Sequence, residues 1–229
     1  MNETRERLLD AAERLYAERG IDAVSLREIV QAAGARNATA VQYHFGDRAG
    51  IVRAILARHA PEIEARRHAL LDAYEADGVP GGRTLAAALV RPMAACLGDA
   101  SGRAFLQVWA DVVNRPRPLL PSVVLDDPPE AAGSGSGTGG AARRPKPDSL
   151  CRWRDLVEPV LEEDAARLHR RFTAILYAAT ELARRARSRP RTDDRLFTSY
   201  LIDVVAAILG APVSEETRRL ADERDAARR

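Results

Sequence analysis

Short polar and aromatic side chains are concentrated in residues 36–48, RNATAVQYHFGDR. Three of them have the chemistry needed to recognise the major groove of DNA. Gln42 can form paired hydrogen bonds with adenine, Thr39 can contact the methyl group of thymine, and Tyr43 can reach a phosphate or a base edge. The alternative is that Thr39 and Gln42 are simply solvated and that Tyr43 packs against the first helix.

The apolar residues of the same segment predict a short helix with an inner and an outer face. Ala38, Val41 and Phe45 are three and four positions apart, which places them on one side of a helix. Asn37 is a favourable N-cap for this helix, which is predicted over residues 38–45. If the apolar side packs inward, the polar residues between its members face outward.

Candidate phosphate-binding groups surround this short helix. Ser25 and Arg27 lie at the start of the preceding helix, Arg36 lies in the turn, and Arg48 lies beside the amino end of the following helix. The free amides of a helix N-terminus strengthen such a contact. His44 is open to two interpretations, since it could hold a phosphate or act as a structural neighbour of the core aromatic.

Capping signals indicate the helices that must position these groups. The first helix is predicted to stop at Gly20. SLRE at residues 25–28 is a capping box that starts a helix over 26–33, and Gly34 ends it. Asp47 is a favourable cap for a fourth helix. Two short helices joined by AGARN, the second rich in polar groups, have the layout of a helix-turn-helix.

These motifs together resemble the amino-terminal domain of the TetR family, the tetracycline-repressor-like transcriptional regulators. The matching pieces are SLREI, the Ala33-Gly34 turn, YHFG and the basic position Arg48, within a similarity that spans residues 5–59. The resemblance implies a homodimer that binds a palindromic operator in double-stranded DNA. It also implies repression until a small molecule enters the carboxy-terminal domain.

The turn departs from the commonest pattern of that family. From Gly34 to His44 it is one residue longer, and Asn37 takes the capping role that a serine or threonine usually has. The correspondence is therefore direct for Tyr43, His44 and Arg48, whereas residues 36–39 match the family pattern only to within one position.

Net charge, apolar runs and the spacing of cysteine and histidine residues bear on which other classes of protein are compatible with the sequence. The net charge of +2 over 229 residues does not by itself identify a nucleic-acid binder. No apolar run reaches the ~18 residues of a membrane span, so we expect no membrane association. The cysteines Cys96 and Cys151 and the histidines His59, His68 and His169 show no metal-ligand spacing. We therefore expect a cytoplasmic protein without a metal or cofactor.

The rest of the chain predicts an all-α fold of two domains. Residues 1–60 form the DNA-binding domain, and residues 61–229 form a helical ligand-binding and dimerisation domain. Helices are predicted over 61–77, 84–97, 102–114, 149–162, 165–188, 193–209 and 215–227. The proline-, glycine- and serine-rich stretch at about 126–148 is predicted to be disordered. Its GxGxxG spacing at residues 135–140 has no flanking strand and helix, so it does not indicate nucleotide binding.

Two carboxy-terminal helices carry long apolar faces, and the second, over 193–209, is apolar around more of its circumference than one packing face needs. We therefore expect the helices over 165–188 and 193–209 to form a four-helix dimer interface with their symmetry mates. The alternative is a single large core. The predicted interface residues are Phe172, Ile175, Leu176, Ala179, Leu201, Val204, Val205 and Ile208.

Large and soft side chains elsewhere in this domain are candidates for a pocket between helices. They favour an apolar or aromatic effector, since few charged residues interrupt these faces. The alternative is ordinary core. The candidate pocket residues are Tyr74, Met93, Cys96, Phe105, Trp109 and Trp153.

The leading interpretation is a dimeric, ligand-responsive transcriptional repressor. A rival from another class is an all-helical enzyme or small-molecule carrier with an incidental helix-turn-helix. The sequence offers that rival no nucleophile–base pair, metal cluster or phosphate loop. Activation instead of repression is also compatible with the sequence, since the position of the operator largely decides it.

Overall fold

The computed structural model describes residues 3–35, 39–78, 81–116, 119, 148–188 and 193–228. Most of these residues are helical. No strand occurs in these ranges, which confirms the all-α prediction. The α-helices are α1 (Glu3–Arg19), α2 (Leu26–Ala32), α3 (Ala40–Phe45), α4 (Arg48–Ala76), α5 (Gly82–Ala94), α6 (Ala100–Val113), α7 (Ser149–Val157), α8 (Glu163–Arg167), α9 (Arg170–Arg187), α10 (Arg195–Gly210) and α11 (Glu215–Ala226). Short 3-10 helices follow α5 (Ala95–Gly98) and α7 (Glu158–Val160).

The predicted caps of the first two helices are confirmed. Gly20, with a φ of 85°, follows α1, and its amide donates to the Tyr16 carbonyl at 2.8 Å. At the start of α2, the Glu28 amide donates to Ser25 Oγ at 3.2 Å, and the Ser25 amide donates to Glu28 Oε2 at 2.8 Å. This reciprocal pair satisfies two amides that a helix start leaves without intrahelical partners.

The corner between α3 and α4 depends on two glycines and one cap. Gly46 has a φ of 77°, a region that favours glycine, and Asp47 Oδ1 accepts a hydrogen bond from the Gly50 amide at 2.7 Å. This confirms Asp47 as the cap of the fourth helix. A Cβ atom at position 50 would overlap the carbonyl oxygen of Phe45, so glycine allows the close approach of α3 to α4.

The third helix begins later than the sequence predicts. Thr39 occupies the N-cap position, and the helix begins at Ala40 instead of residue 38. The predicted cap Asn37 lies outside the described residues, as do Arg36 and Ala38. Apart from Asp148, the predicted disordered stretch at 126–148 also lies outside them.

The fourth helix is longer than the sequence predicts. Pro61 lies inside α4, which runs for 29 residues, or about 44 Å. A proline removes one helical hydrogen bond and crowds the carbonyl four residues earlier, which is why we expected a break there. Buried Ile55, Ile63 and Leu71 anchor the helix on both sides of the proline. The predicted domain boundary between residues 60 and 61 therefore falls within one continuous helix.

A break occurs instead in the helix predicted over 165–188. α8 ends at Arg167 and α9 begins at Arg170. Between them His169 adopts the left-handed conformation, with a φ of 56° and a ψ of 38°. It is the one non-glycine residue with a positive φ among those described.

Helix α6 lies at the centre of the fold and joins the amino-terminal helices to the rest. It packs against α1 on one side and α9 on the other. Asp111 Oδ2 accepts a hydrogen bond from the Ile21 amide at 2.8 Å, and Arg115 pairs with Asp22 at 2.8 Å. The loop after α1 is therefore held directly by α6.

No single described helix is long and apolar enough to cross a membrane. Only α10 and α11 taken together meet that length and composition, and they are bent by 60° at their junction.

Candidate nucleic-acid interface and ligand cavity

Helix α3 has one buried and one exposed face. Val41 is 1% exposed and Ala40 is 8% exposed, whereas Tyr43 is 84% exposed and Gln42 is also exposed. The inward position of Val41 is thus confirmed. The turn at Gly46 and Asp47 fixes the carboxyl end of α3, and the outer side chains are presented on this short helix.

Aromatic contacts extend along the carboxyl end of α3. The His44 ring lies between Tyr43 and Phe45, with centroid distances of 4.9 and 6.3 Å and edge-to-face geometry. Phe45 is half-buried, and the guanidinium of Arg5 lies over its ring, 5.2 Å from the centroid. The inward face of α3 is therefore also clamped by α1, and a basic group is brought close to α3.

Arg48 is occupied by contacts within the protein. Its Nη2 donates to the Val24 carbonyl at 3.0 Å, and its Nη1 lies 3.6 Å from Asp22 Oδ1. These contacts tie the amino end of α4 to the segment before α2. A phosphate contact by Arg48 would compete with them.

Ser25 and Arg27 are both exposed at the start of α2. The hydroxyl of Ser25 donates to Glu28 Oε2 at 2.7 Å, and Arg19 pairs with Glu28 at 2.7 Å. Hydrogen bonds from the Ser25 amide and hydroxyl, together with Arg19, lower the pKa of Glu28 to about 2. Arg27 has no ion-pair partner among the described residues, so its guanidinium is available to an external phosphate.

A cavity of about 230 Å³ lies between α4, α5, α6 and the start of α7. Three of the predicted pocket residues, Met93, Phe105 and Trp109, line it. The remaining wall is formed by residues that the sequence analysis missed: Arg53, Leu56, Ala57, Ala60, Ile63, Glu64, Arg67, Asp148 and Leu150. The spacing of Leu56, Ala60, Ile63 and Arg67 indicates one face of a helix, a signal hidden by the expected break at Pro61.

The other three predicted pocket residues do not line this cavity. Trp153 is fully buried and its indole nitrogen donates to the Leu85 carbonyl at 2.7 Å, so it belongs to the core. Tyr74 packs against the same core. Cys96 lies just after α5, where burial raises the pKa of its thiol to about 11. The alternative of ordinary core is therefore correct for Trp153 and Tyr74.

Two wider clefts of about 800 and 950 Å³ flank α6, but much of their exposed wall is polar. The smaller cavity has the apolar walls that small-molecule sites need.

A chain of contacts runs from this cavity to α1. The Phe105 ring, which lines the cavity, stacks on the His59 ring with centroids 4.5 Å apart. His59 Nε2 lies 2.6 Å from Glu13 Oε1, and Glu13 is only 3% exposed. Arg58 and Ser101 both approach Glu13 Oε2 at 3.0 Å. A carboxylate of α1 is thus held by side chains of α4 and α6, although neither Glu13 nor His59 had a role in the sequence analysis.

The predicted dimer residues divide into two groups. Ile175, Ala179, Leu201 and Val205 are at most 3% exposed within the protomer, so the structure corrects their assignment: they belong to its own core. The half-buried residues are Phe172, Leu176, Val204 and Ile208. Helices α9 and α10 pack against each other and against α6 and α5, which covers the first group.

Two large side chains of α10 project from the protomer. Leu196 is 85% exposed and Tyr200 is 66% exposed. Both lie on the apolar helix predicted over 193–209, but neither is among the predicted interface residues, because periodicity alone does not say which side of such a helix its own core covers.

The pair α2–α3, with a buried anchor, an exposed polar face and basic groups around it, defines a helix-turn-helix DNA-binding protein. Residues 8–55 match the sequence model of "Bacterial regulatory proteins, tetR family". This segment of the chain is therefore a DNA-binding domain similar to that of the TetR family of transcriptional regulators.

Comparison with solved structures and curated proteins adds little to this assignment. One similar structure is "Crystal structure of Probable transcriptional regulatory protein RHA5900", which is 22% identical, covers 96% of this chain and 94% of that chain, and has a TM-score of 0.40. No curated protein sequence matches the chain.

Proposed function

We propose that the protein is a cytoplasmic repressor that binds a palindromic DNA operator as a homodimer and responds to a small apolar or aromatic effector. The observation that carries the proposal is the exposed polar face of α3, backed by buried Val41, within a segment that matches a family of DNA-binding regulators. A regulator of this kind needs no catalytic machinery, and we propose no enzymatic activity.

In this proposal α3 enters the major groove and reads bases. Gln42 and Thr39 contact base edges and Tyr43 contacts a phosphate or a base edge, since their side chains lie on the exposed side of the helix. Arg27 and Ser25 contact the phosphate backbone from the start of α2. Arg36, Asn37 and His44 are assigned to the same interface on the basis of the family pattern. Arg48 acts mainly by positioning, because its guanidinium holds the segment before α2.

Homodimerisation is proposed through α9 and α10. The half-buried Phe172, Leu176, Val204 and Ile208, together with exposed Leu196 and Tyr200, form an apolar surface that a second copy would cover. A twofold axis through this surface would present two copies of α3 to successive major grooves, about 34–36 Å apart.

Ligand response is proposed through the cavity and its contacts with α1. A molecule that enters the cavity meets Phe105, which stacks on His59, and His59 is bonded to buried Glu13 of α1. A shift of Phe105 would therefore act on α1, whose Arg5 lies over the Phe45 ring of α3. Effector binding would favour dimers in which the spacing of the two α3 helices does not fit the operator.

Selection from random double-stranded DNA by the full-length chain tests the DNA-binding proposal. We expect enrichment of a palindrome whose half-sites are about one helical turn apart. Absence of enrichment over the unselected pool would overturn the proposal. Placing the selected site at a promoter, in front of a reporter gene, then tests repression, which predicts lower expression in the presence of the protein.

A further inference from the structure

The cavity between α4, α5, α6 and α7 is of the size of a small aromatic molecule. Its volume of about 230 Å³ exceeds the ~150 Å³ of an engineered protein cavity that binds benzene. Phe105, Trp109 and Met93 supply flat and polarisable walls from α5 and α6, and the apolar residues of α4 form the opposite wall. One ring with one or two small substituents fits this space.

A buried cation lies in the wall of this apolar cavity. Arg67 is only 4% exposed, although a charged side chain is rarely buried without a paired anion. Its Nε donates to the Ala88 carbonyl at 3.2 Å, and its Nη1 donates to Ser149 Oγ at 2.8 Å. The nearest described carboxylate oxygen, of Glu64, is 3.7 Å from Nη1, which is beyond hydrogen-bonding distance. Burial lowers the pKa of the Arg67 guanidinium, and an added anion would offset this cost.

The two carboxylates in the cavity wall are already used by the start of α7. Glu64 accepts hydrogen bonds from the Ser149 amide at 2.7 Å and from Ser149 Oγ at 2.8 Å, one on each oxygen. Asp148 accepts from the Leu150 amide at 2.7 Å as the cap of α7. Peptide N–H groups therefore stabilise both anions, whereas Arg67 has only neutral hydrogen-bond acceptors. Arg53, a second cation of the wall, lies 3.9 Å from its described partner Asp47.

We propose that this cavity binds a monocyclic aromatic carboxylate, with the ring against Phe105 and Trp109 and the carboxylate on Arg67, assisted by Arg53. A planar guanidinium pairs with a planar carboxylate through two parallel hydrogen bonds, which an uncharged group does not match. The inference rests on the proposed ligand response, because it names the chemical class of the effector. It concerns binding to the cavity, which is measurable in the absence of DNA.

Binding of benzoate and benzamide to the full-length chain tests this inference. The two probes have nearly the same shape and differ in charge. Trp109 lines the cavity and Trp153 is the other tryptophan of the chain, so tryptophan fluorescence reports occupancy. We expect benzoate to bind about 10- to 100-fold more tightly than benzamide. Acetate, which has the charge and lacks the ring, should bind more weakly than benzoate.

Three variants test which arginine is responsible for the preference for benzoate over benzamide. Arg67→Gln should reduce the preference for benzoate over benzamide to less than about threefold, and Arg53→Gln should reduce it by a smaller factor. Arg66→Gln is the matched control, since Arg66 is exposed on the same helix, pairs with Glu62 and does not line the cavity. It should leave the preference unchanged. Circular dichroism of each variant checks that it is folded.

Equal affinity for benzoate and benzamide, or binding of neither, would overturn the inference, and both results come from the unaltered protein. A full preference for benzoate in a folded Arg67→Gln variant would overturn the assignment to Arg67. These outcomes are separate from failure of the regulator proposal, which is judged by DNA selection. A chain that selects a palindrome without distinguishing the two probes would remain a regulator with an effector of another class.

Discussion

Helices α3 and α10 both expose a large aromatic side chain, but they differ in what surrounds it. On α3, Tyr43 is accompanied by exposed Gln42 on a helix of six residues whose carboxyl end is fixed by the turn at Gly46. On α10, Tyr200 is accompanied by exposed Leu196 on a helix of 16 residues that packs along α5 and α9. Polar groups on a small rigid support suit a partner that offers directed hydrogen bonds, whereas an extended apolar surface suits another apolar surface.

This difference indicates the kind of partner that each surface fits, DNA for α3 and another apolar surface for α10. DNA presents a regular pattern of donors and acceptors in a narrow groove, so a short helix with a few positioned side chains is enough to read it. In the proposed homodimer, a second protomer would present the same long helix, so area and shape would decide the contact. The following predictions test whether the two surfaces are as separate as this comparison implies.

The largest expected effect follows from introducing charge into the α10 surface. Leu196→Glu with Tyr200→Glu would bury two carboxylates per protomer at a dimer contact, so we expect a monomer in light scattering at micromolar concentration. Two linked α3 helices bind an operator with higher affinity than one, so the affinity of the monomer for the selected site should be lower by a factor of about 10²–10⁴. Leu220→Glu is the control, since Leu220 is 49% exposed on α11, and it should remain dimeric. An unaltered protein that is already monomeric would contradict the proposed assembly.

A smaller loss is expected from Gly50→Ala at the corner that fixes α3. The added methyl group would overlap the Phe45 carbonyl, which either displaces α3 or opens the first turn of α4. We expect a loss of about 2–3 kcal/mol in the free energy of unfolding, measured by denaturant titration. Gly82→Ala is the matched control, because nothing lies within 4 Å of the equivalent position at the start of α5. Equal stability of the two variants would show that α3 is not held by this close approach.

Variants of exposed side chains on α3 and α2 should distinguish recognition of bases from binding of the phosphate backbone. Gln42→Ala should cost about 1–3 kcal/mol at one base position, with little change on random DNA. Arg27→Ala should weaken all sequences alike and reduce the slope of binding against salt by about one. Operator titrations at several salt concentrations distinguish the two patterns. Equal losses on specific and random DNA for Gln42→Ala would remove its role as a base reader.

Arg48→Ala should affect both DNA binding and stability, whereas Arg27→Ala should affect DNA binding alone. Arg48→Ala should weaken binding to all sequences, and it should also lower the melting temperature, because the bond from Arg48 to the Val24 carbonyl is lost. The expected cost in stability is about 1 kcal/mol. A melting temperature unchanged from that of the unaltered protein would show that Arg48 serves phosphate binding alone.

The same comparison explains which features the sequence alone could predict. Caps act over three or four residues, so the Ser25–Glu28 box, Gly20 and Asp47 follow from local chemistry. The path of α4 through Pro61 depends on packing on both sides, which no local signal contains. Most of the cavity wall could not be predicted for the same reason, since much of it lies on α4 around that proline.

Burial on the apolar helices also depends on tertiary packing, which periodicity does not contain. Val205 and Val204 are adjacent and equally apolar, yet the first is fully buried and the second is half-buried. The positions of α5 and α9, which pack against α10, decide this difference. In the same way, the contact of His59 with Glu13 joins residues 46 positions apart and gives no periodic signal.

The smallest expected effect concerns the local chemistry that supports α3 from below, the capping box of α2. The pKa of Glu28 is lowered from 4.5 to about 2 by its hydrogen bonds with Ser25 and by Arg19. Because the folded value lies below the ordinary one, the stabilisation is fully present above pH 4.5 and is lost as the pH falls towards about 2. The melting temperature of Glu28→Gln should therefore lie below that of the unaltered protein near neutral pH, and the gap should narrow on acidification. In a Ser25→Ala background this pH dependence should be smaller but still present, since only the hydroxyl hydrogen bond is lost, whereas the backbone amide of residue 25 and Arg19 still lower the pKa of Glu28. A gap that stays constant with pH would show that the charge of Glu28 contributes nothing to holding α2 in place.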